Sequence, residues 1–268
     1  MITEFRRATS IEEAVALRKD GYLYLAGGTQ LNNATYRTYG GTVERVVSLD
    51  ALGLDQVGTD GDDAVIGAGV TLQTLADDPT IPPALRDAAA FMPTRSGRNI
   101  ATIGGNVAAR RPDSYLIPAL IALDAVAETV DGPVPVETYV SGDNTSPRLQ
   151  FRVPPVRGVC RAVKESRSHI SLPIVSAAVR VTVEAGAVVD ARVAAGCVAK
   201  RTVRLSAVEE LLCAPRGAPA PDTATLEAAV AAAIDPPENF LGTTDFKRYL
   251  NAVVITDCIA ACIREASS

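Results

Sequence analysis

Apolar positions recur along this chain with two periods, and the change of period divides it. Near the start, Ile11, Ala14, Val15 and Leu17 fall on one face of a helix. Ser10 followed by Glu13 is the pattern of a capping box, and Gly21 stands where a helix C-cap is expected. Tyr22 to Ala26 reads as a short strand and Val43 to Leu49 as a second, giving a small β-α-β unit. Leu54 to Gly58 and Ala64 to Gly69 flank Thr59-Asp60-Gly61-Asp62-Asp63, a hairpin signal. Helices are predicted from Thr71 to Ala76, from Pro82 or Pro83 through Leu85, Ala88 and Phe91, and from Leu116 to Leu123. Strands follow from Ala125 to Val130, turned by Asp131-Gly132, and from Leu149 to Val153, with Pro154-Pro155 as punctuation.

Beyond Val156 a period of two takes over. Val159 to Val163, Ile174 to Glu184 and Val188 to Val198 read as strands. Val175, Ala177, Val179, Val181 and Val183 alternate with polar or small residues, as in a half-buried antiparallel sheet. Helices are predicted at Ser206 to Cys213, with Glu209 completing a second capping box, at Thr223 to Ile234 and at Asp245 to Ile263. An Ala/Pro-rich loop covers Gly217 to Pro221. The fold class is α+β. Residues 1–155 form one domain, subdivided near residue 50. Residues 156–268 form a smaller one with a three-stranded antiparallel sheet and helices on one face.

Two stretches interrupt these periods with paired glycines. Leu25-Ala26-Gly27-Gly28-Thr29-Gln30-Leu31-Asn32-Asn33 follows the first strand, and Ala101-Thr102-Ile103-Gly104-Gly105-Asn106 follows the polar, twice cationic Thr94-Arg95-Ser96-Gly97-Arg98-Asn99. Glycine has no Cβ, so such a turn can take positive φ and bring backbone N–H groups close to a ligand. Amides converging on one concavity make an anion site, and two such loops could hold a diphosphate between them. Arg95 and Arg98 could neutralise it. Two plain Gly-Gly turns would look the same.

Composition narrows the choices. The 268 residues are 47% hydrophobic and 21% charged, ordinary for a globular protein, and the net charge of −5 without clustered Lys/Arg points away from nucleic acid. No apolar run reaches the roughly 18 residues of a membrane span, and the N-terminus has no apolar h-region, so the expected location is cytoplasmic. Five cysteines without a Cys-x-x-Cys argue against a disulfide framework or an iron–sulfur or zinc site. Cys258 and Cys262 read as buried small hydrophobes. A single histidine, His169, argues against a Ser-His-Asp hydrolase. No catalytic residue and no metal ligand is assigned.

These stretches carry a family resemblance. Phe5 to Ala14, Ala26-Gly27-Gly28-Thr29-Gln30-Leu31, Arg98 to Ala108, Pro118 to Ala125 and Asp245-Phe246-Lys247-Arg248-Tyr249-Leu250 together resemble, end to end, the FAD-binding (medium) subunit of the xanthine dehydrogenase and carbon monoxide dehydrogenase family of molybdenum hydroxylases. The resemblance implies a two-part FAD-binding domain of the PCMH type, then the C-terminal domain of such flavoproteins. It implies an extended FAD whose diphosphate lies between the glycine loops. By position it assigns to FAD the residues Tyr24, Leu25, Ala26, Gly27, Gly28, Thr29, Gln30 and Leu31, then Ala101, Thr102, Gly104, Gly105 and Asn106, with Lys164 near the flavin and Met92 beside the flavin or adenine. It implies an iron–sulfur small subunit and a molybdenum-cofactor large subunit as partners, and NAD or another electron acceptor. A flavin-free scaffold subunit and a free-standing flavin reductase of related fold are the other readings. The chain departs from the family after the second loop: Tyr115 stands where an Asp is usual, and Arg110-Arg111 where small or polar residues are.

Overall fold

The computed structural model describes residues 2–31, 43–142, 146–213 and 221–268; Asn32, Asn33 and residues 217–220 of the Ala/Pro-rich loop lie outside them. The chain opens with strand Glu4–Arg7 (β1), helix Ile11–Lys19 (α1) and strands Leu23–Leu25 (β2) and Arg45–Ser48 (β3). The sheet order is β1-β3-β2, all parallel. The β-α-β unit is therefore β1-α1-β2, with β3 between its strands. The periodicity did not announce β1, because four residues facing mostly solvent carry no apolar alternation. The first capping box forms with a shift. Ser10 Oγ accepts the Glu13 amide (3.2 Å), while the Glu13 carboxylate accepts the amide of Thr9 (2.8 Å), one residue before the N-cap.

The next layer contains Val57–Asp60 (β4), Asp63–Gly67 (β5), helices Leu72–Asp77 (α2), Pro83–Ala90 (α3), Arg95–Ile100 (α4), Ile103–Ala109 (α5) and Leu116–Ala122 (α6), then Val126–Thr129 (β6), Gly132–Pro135 (β7), Val136–Ser141 (α7) and Arg148–Val153 (β8). Its five strands are antiparallel in the order β4-β5-β8-β6-β7. Gly61 supplies the left-handed φ (+59°) that the two-residue β4–β5 turn requires. Two helices replace expected irregular segments. The polar stretch from Arg95 is α4, capped by Thr94 Oγ1 on the Gly97 amide, and the second glycine pair lies inside α5.

The C-terminal region comprises Val159–Glu165 (β9), Val175–Glu184 (β10), Ala187–Gly196 (β11), Val203–Arg204 (β12), Ser206–Leu212 (α8), Thr223–Ala232 (α9) and Thr244–Ala266 (α10). The three expected strands pair antiparallel as predicted, and two-residue β12 extends the edge, giving the order β12-β11-β10-β9. Both faces of this sheet are covered, not one. Val175, Val179, Val181 and Val193 share a core with Ile255, Ile259 and Cys262 of α10, while Ala178 and Ala194 join the core around α6. Every residue of α6 is buried. The small and polar residues that made β10 look half-exposed are what let α6 and its flanks approach. Glu209 does not close a capping box. It is buried, accepts the Val193 amide (2.8 Å) and binds the Arg204 guanidinium (2.7 Å). Cys258 and Cys262 are buried in the core as expected.

Candidate functional site

The first glycine segment leaves the end of β2. Gly28 takes φ +72°, the left-handed region that a Cβ disfavours. Gly27 has a different reason to be glycine. A Cβ there would lie well inside van der Waals contact of the Ile100 carbonyl at the end of α4, so the segments carrying the two glycine pairs touch backbone to backbone. Among the described residues, no hydrogen-bond acceptor meets the amides of Gly27, Gly28, Thr29 or Gln30.

The second segment is built otherwise. Thr102 caps α5 with Oγ1 on the Gly105 amide (3.1 Å). The Ile103 amide donates to the Val70 carbonyl (3.0 Å), Gly104 to Ala68 (2.9 Å) and Asn106 to Thr102 (2.9 Å). All four amides from 103 to 106 are thus spent on the protein. Here the glycines admit close packing: a Cβ on Gly104 would sit 2.6 Å from the Ala68 carbonyl oxygen, whereas one on Gly105 would meet only Thr102 Oγ1, at 3.0 Å. The expected free amides are therefore a property of the first segment alone.

Between the two segments lies a cleft of about 630 Å³, within the usual range for small-molecule sites. Tyr24, Ala26, Gly27, Gly28, Thr29, Gln30, Leu31, Thr102, Gly104 and Gly105 line it. Tyr24 Oη and Gln30 Oε1 are buried there without a protein partner among the described residues, and such atoms call for a bound group or water. Burial pushes the Tyr24 phenol above its ordinary pKa, against the pull of Arg18 and Arg148. The cleft is cationic: Arg18, Arg110, Arg148, Lys200 and Arg201 line it, against Asp50 and Asp55. Arg110, at the left-handed C-cap of α5 (φ +48°), places its guanidinium 4.7 Å from the Tyr139 ring centre, and Arg148 lies 4.8 Å from the same ring and bonds the Tyr139 hydroxyl. Arg201 reaches from beyond β11 to the end of α7, donating to the carbonyls of Val140, Ser141 and Gly142 (3.0, 2.6 and 2.7 Å). It thereby fastens the helix that carries Tyr139. The polar atoms unpartnered among the described residues, the glycine-lined walls and the cationic wall fit an elongated, phosphate-bearing cofactor such as FAD.

Four expected residues lie behind this wall or away from it. Leu25 packs with Leu31, Val43 and Val46. Ala101 is buried at the C-cap of α4, where its carbonyl accepts the Leu72 amide (2.9 Å). The Asn106 side chain turns to Ser114, whose Oγ donates to Asn106 Oδ1 (2.6 Å). Lys164, on β9, donates Nζ to the Phe91 carbonyl (3.2 Å) and lies 5.5 Å from the Tyr115 ring centre, with its amine held below the ordinary value by burial. Tyr115 packs edge-on against Phe91, at 5.9 Å, so the position that departs from the family is filled by an aromatic cluster. Arg98 is occupied by Gln73 (2.8 Å) and the Met92 carbonyl (2.7 Å), and neither Arg95, Arg98 nor Met92 lines the cleft. The residues that sequence reasoning missed are Arg18, Tyr139, Arg148, Lys200 and Arg201. They stand on four separate stretches, none with a local motif. Only Arg110 carried a signal, as an unusual residue beside the second glycine pair.

Known proteins resemble this chain along its length. A family model described as the FAD binding domain in molybdopterin dehydrogenase matches residues 2–149, and one described as the CO dehydrogenase flavoprotein C-terminal domain matches residues 161–261. An uncharacterised protein of Escherichia coli K12, YgfM, is 36% identical over 266 residues, 98% of this chain and 97% of that one. Among solved structures, the carbon monoxide dehydrogenase of Hydrogenophaga pseudoflava contains a chain that matches with a TM-score of 0.87 at 24% identity, covering 99% of this chain and 98% of that one. A chain of quinoline 2-oxidoreductase from Pseudomonas putida 86 matches with a TM-score of 0.86 at 19% identity, covering 100% and 99%. At those identities the two structures speak to the fold.

Proposed function

The chain belongs to the family of FAD-binding flavoprotein subunits of molybdenum hydroxylases, and from that premise we propose that it is the electron-transferring flavin subunit of a xanthine dehydrogenase-like enzyme. In this reading a small subunit with iron–sulfur clusters and a large subunit with the molybdenum cofactor are its partners, NAD or another acceptor removes the electrons, and the assembly works in the cytoplasm. FAD, when bound, supplies the exchange between one-electron and two-electron transfer. The chain's own residues bind and orient it. We divide the chain at residues 155 and 156 into the FAD-binding domain and the C-terminal domain.

One observation supports this reading: the cleft that joins both glycine segments combines amides and two buried polar atoms that have no partner among the described residues with a cationic wall. We assign the diphosphate to the amides of Gly27 to Gln30 together with Arg110 and Arg148, which act as charge-assisted donors. Thr102, Gly104 and Gly105 form the opposite wall, and Tyr24 Oη and Gln30 Oε1 take the polar edges of the ligand. By the family resemblance alone Lys164 is assigned beside the flavin ring; in the fold it lies on β9, outside the cleft. Purified protein should carry flavin absorption near one FAD per chain. Colourless protein that rejects added FAD would overturn the reading. Co-purification with an iron–sulfur chain separates it from a free-standing reductase.

A further inference from the structure

Asn106 ends the second glycine segment yet faces away from the cleft, and what it holds is the start of a buried relay. Ser114 Oγ donates to Asn106 Oδ1 (2.6 Å) and accepts the Ile117 amide (3.1 Å) at the start of α6. The Ser114 carbonyl in turn accepts Ser176 Oγ (2.8 Å) from the middle sheet strand β10. Ser114 is 4% exposed and Ser176 1%. The neighbouring strand grips the same segment. The Cys197 amide donates to the Pro112 carbonyl (2.6 Å), and Gly196, paired with Ser176 across the sheet, lies so close that a Cβ would meet that carbonyl at 2.5 Å. Two adjacent strands therefore hold two alternate carbonyls of residues 112–114. That segment follows two residues after Arg110, which lines the cleft, and is tied back to the glycine helix through Asn106.

We propose that Asn106, Ser114 and Ser176 are positioning residues: they transmit the placement of the C-terminal sheet to α5 and Arg110, so that FAD affinity depends on a buried hydroxyl of β10 that lies outside the cleft. The inference rests on the cleft being the FAD site. An ordinary core hydrogen bond would stabilise the fold without touching ligand affinity. The relay couples the two, because moving residues 112–114 moves a cleft cation and the wall opposite the first glycine turn. By linkage, FAD must then tighten the sheet as much as the sheet tightens FAD.

The test uses the full chain and reads FAD affinity by flavin fluorescence alongside melting temperature without flavin. Ser176→Ala should bind FAD about tenfold more weakly, the loss of one buried hydrogen bond. Thr256→Ala serves as the comparison, since Thr256 is a buried hydroxyl of α10 (2% exposed) with no protein partner among the described residues. It should leave FAD affinity at the wild-type value. Asn106→Ala approaches the relay from its other end and keeps the test open if Ser176→Ala does not fold. Combined with Ser176→Ala, it should cost less affinity than the two single losses together, the mark of groups acting through one path. Amide exchange in β10 should slow on FAD addition in the wild type and not in Asn106→Ala. Wild-type affinity in both relay variants, or an equal loss in Thr256→Ala, would overturn the proposal. A wild-type chain that takes no FAD removes the cleft reading and this inference with it.

Discussion

The two glycine pairs look alike in sequence and do opposite work. At Gly27-Gly28 the backbone turns through a left-handed residue beside the cleft, and its amides are unspent among the described residues. At Gly104-Gly105 the backbone is the first turn of a helix, and every amide from 103 to 106 is already bonded to the protein. The first pair offers donors; the second offers thinness, letting α5 lie on the Ala68–Val70 backbone. A Gly-Gly pattern announces close backbone approach without saying whether a ligand or another segment makes the approach.

Gly27→Ala attacks the point where the two segments meet. Its Cβ has no room against the Ile100 carbonyl, and neither partner is a flexible side chain. The segments must part, and FAD retention should fall by about 100-fold or more, since overpacking of this kind costs about 1–3 kcal/mol and here also opens the cleft. Absorbance of the protein after gel filtration reads this directly. Retained flavin would show that the contact is not what shapes the site.

Gly105→Ala and Gly104→Ala separate ligand space from packing space. Gly105 lines the cleft and its Cβ has only Thr102 Oγ1 nearby, so alanine should keep or raise the stability, by up to about 1 kcal/mol of helix preference read as a higher melting temperature, while weakening FAD by about tenfold. Gly104→Ala should lower both, because its Cβ strikes the Ala68 backbone. If the two variants behave alike, the division of labour within this pair fails.

Arg110→Gln tests the cationic wall. The expected loss of FAD affinity is about five- to tenfold at low salt and smaller at high salt, as the wall's charge is screened. Titration at two ionic strengths checks it, and a salt-independent loss would assign Arg110 to packing on Tyr139 instead.

The smallest effect concerns pH. Burial pushes the Tyr115 phenol up from 10.0 to about 12, and the Cys160 and Cys197 thiols up from 9.0 to about 12. In the unfolded chain these groups release protons first. Below pH about 9 both states hold them, and stability is unaffected; as the pH rises from about 9 towards 12, the unfolded state binds fewer protons and stability falls. Melting temperatures from pH 8 to 11 should show this decline, and Tyr115→Phe should shrink it. An unchanged decline would locate the alkaline sensitivity in the thiols.

Much of the architecture was legible because it is local. The hairpin at residues 57–67, α1 with its Ser10 cap, the buried α6 and the strands of residues 159–196 all follow from period, cap and turn chemistry. Helices α4 and α5 stand where Gly, Ser and Asn, poor helix formers, predict loops; tertiary contacts with residues 68–73 override that preference. In β10, Ser176, Ala178 and Arg180 interrupt the valines and predict a half-exposed strand. In the fold, Ser176 meets Ser114, Ala178 meets the α6 core and Arg180 pairs with Asp124 (2.7 Å) and Asp190 (3.0 Å).

The amino-acid sequence by itself carried the family resemblance, and with it the cofactor; glycine spacing and apolar period, which are properties of neighbouring residues, marked the two backbone segments that frame the cleft. Only the tertiary structure decided what each segment does. Whether an amide is free depends on Val70, Ala68 and Thr102; whether a cation reaches the cleft depends on where Arg148 and Arg201 are delivered by strands and turns far from the glycines. Asn106 shows the limit most plainly: its place in the motif suggested a ligand contact, and a serine eight residues on, itself held by the C-terminal sheet, turned it inward.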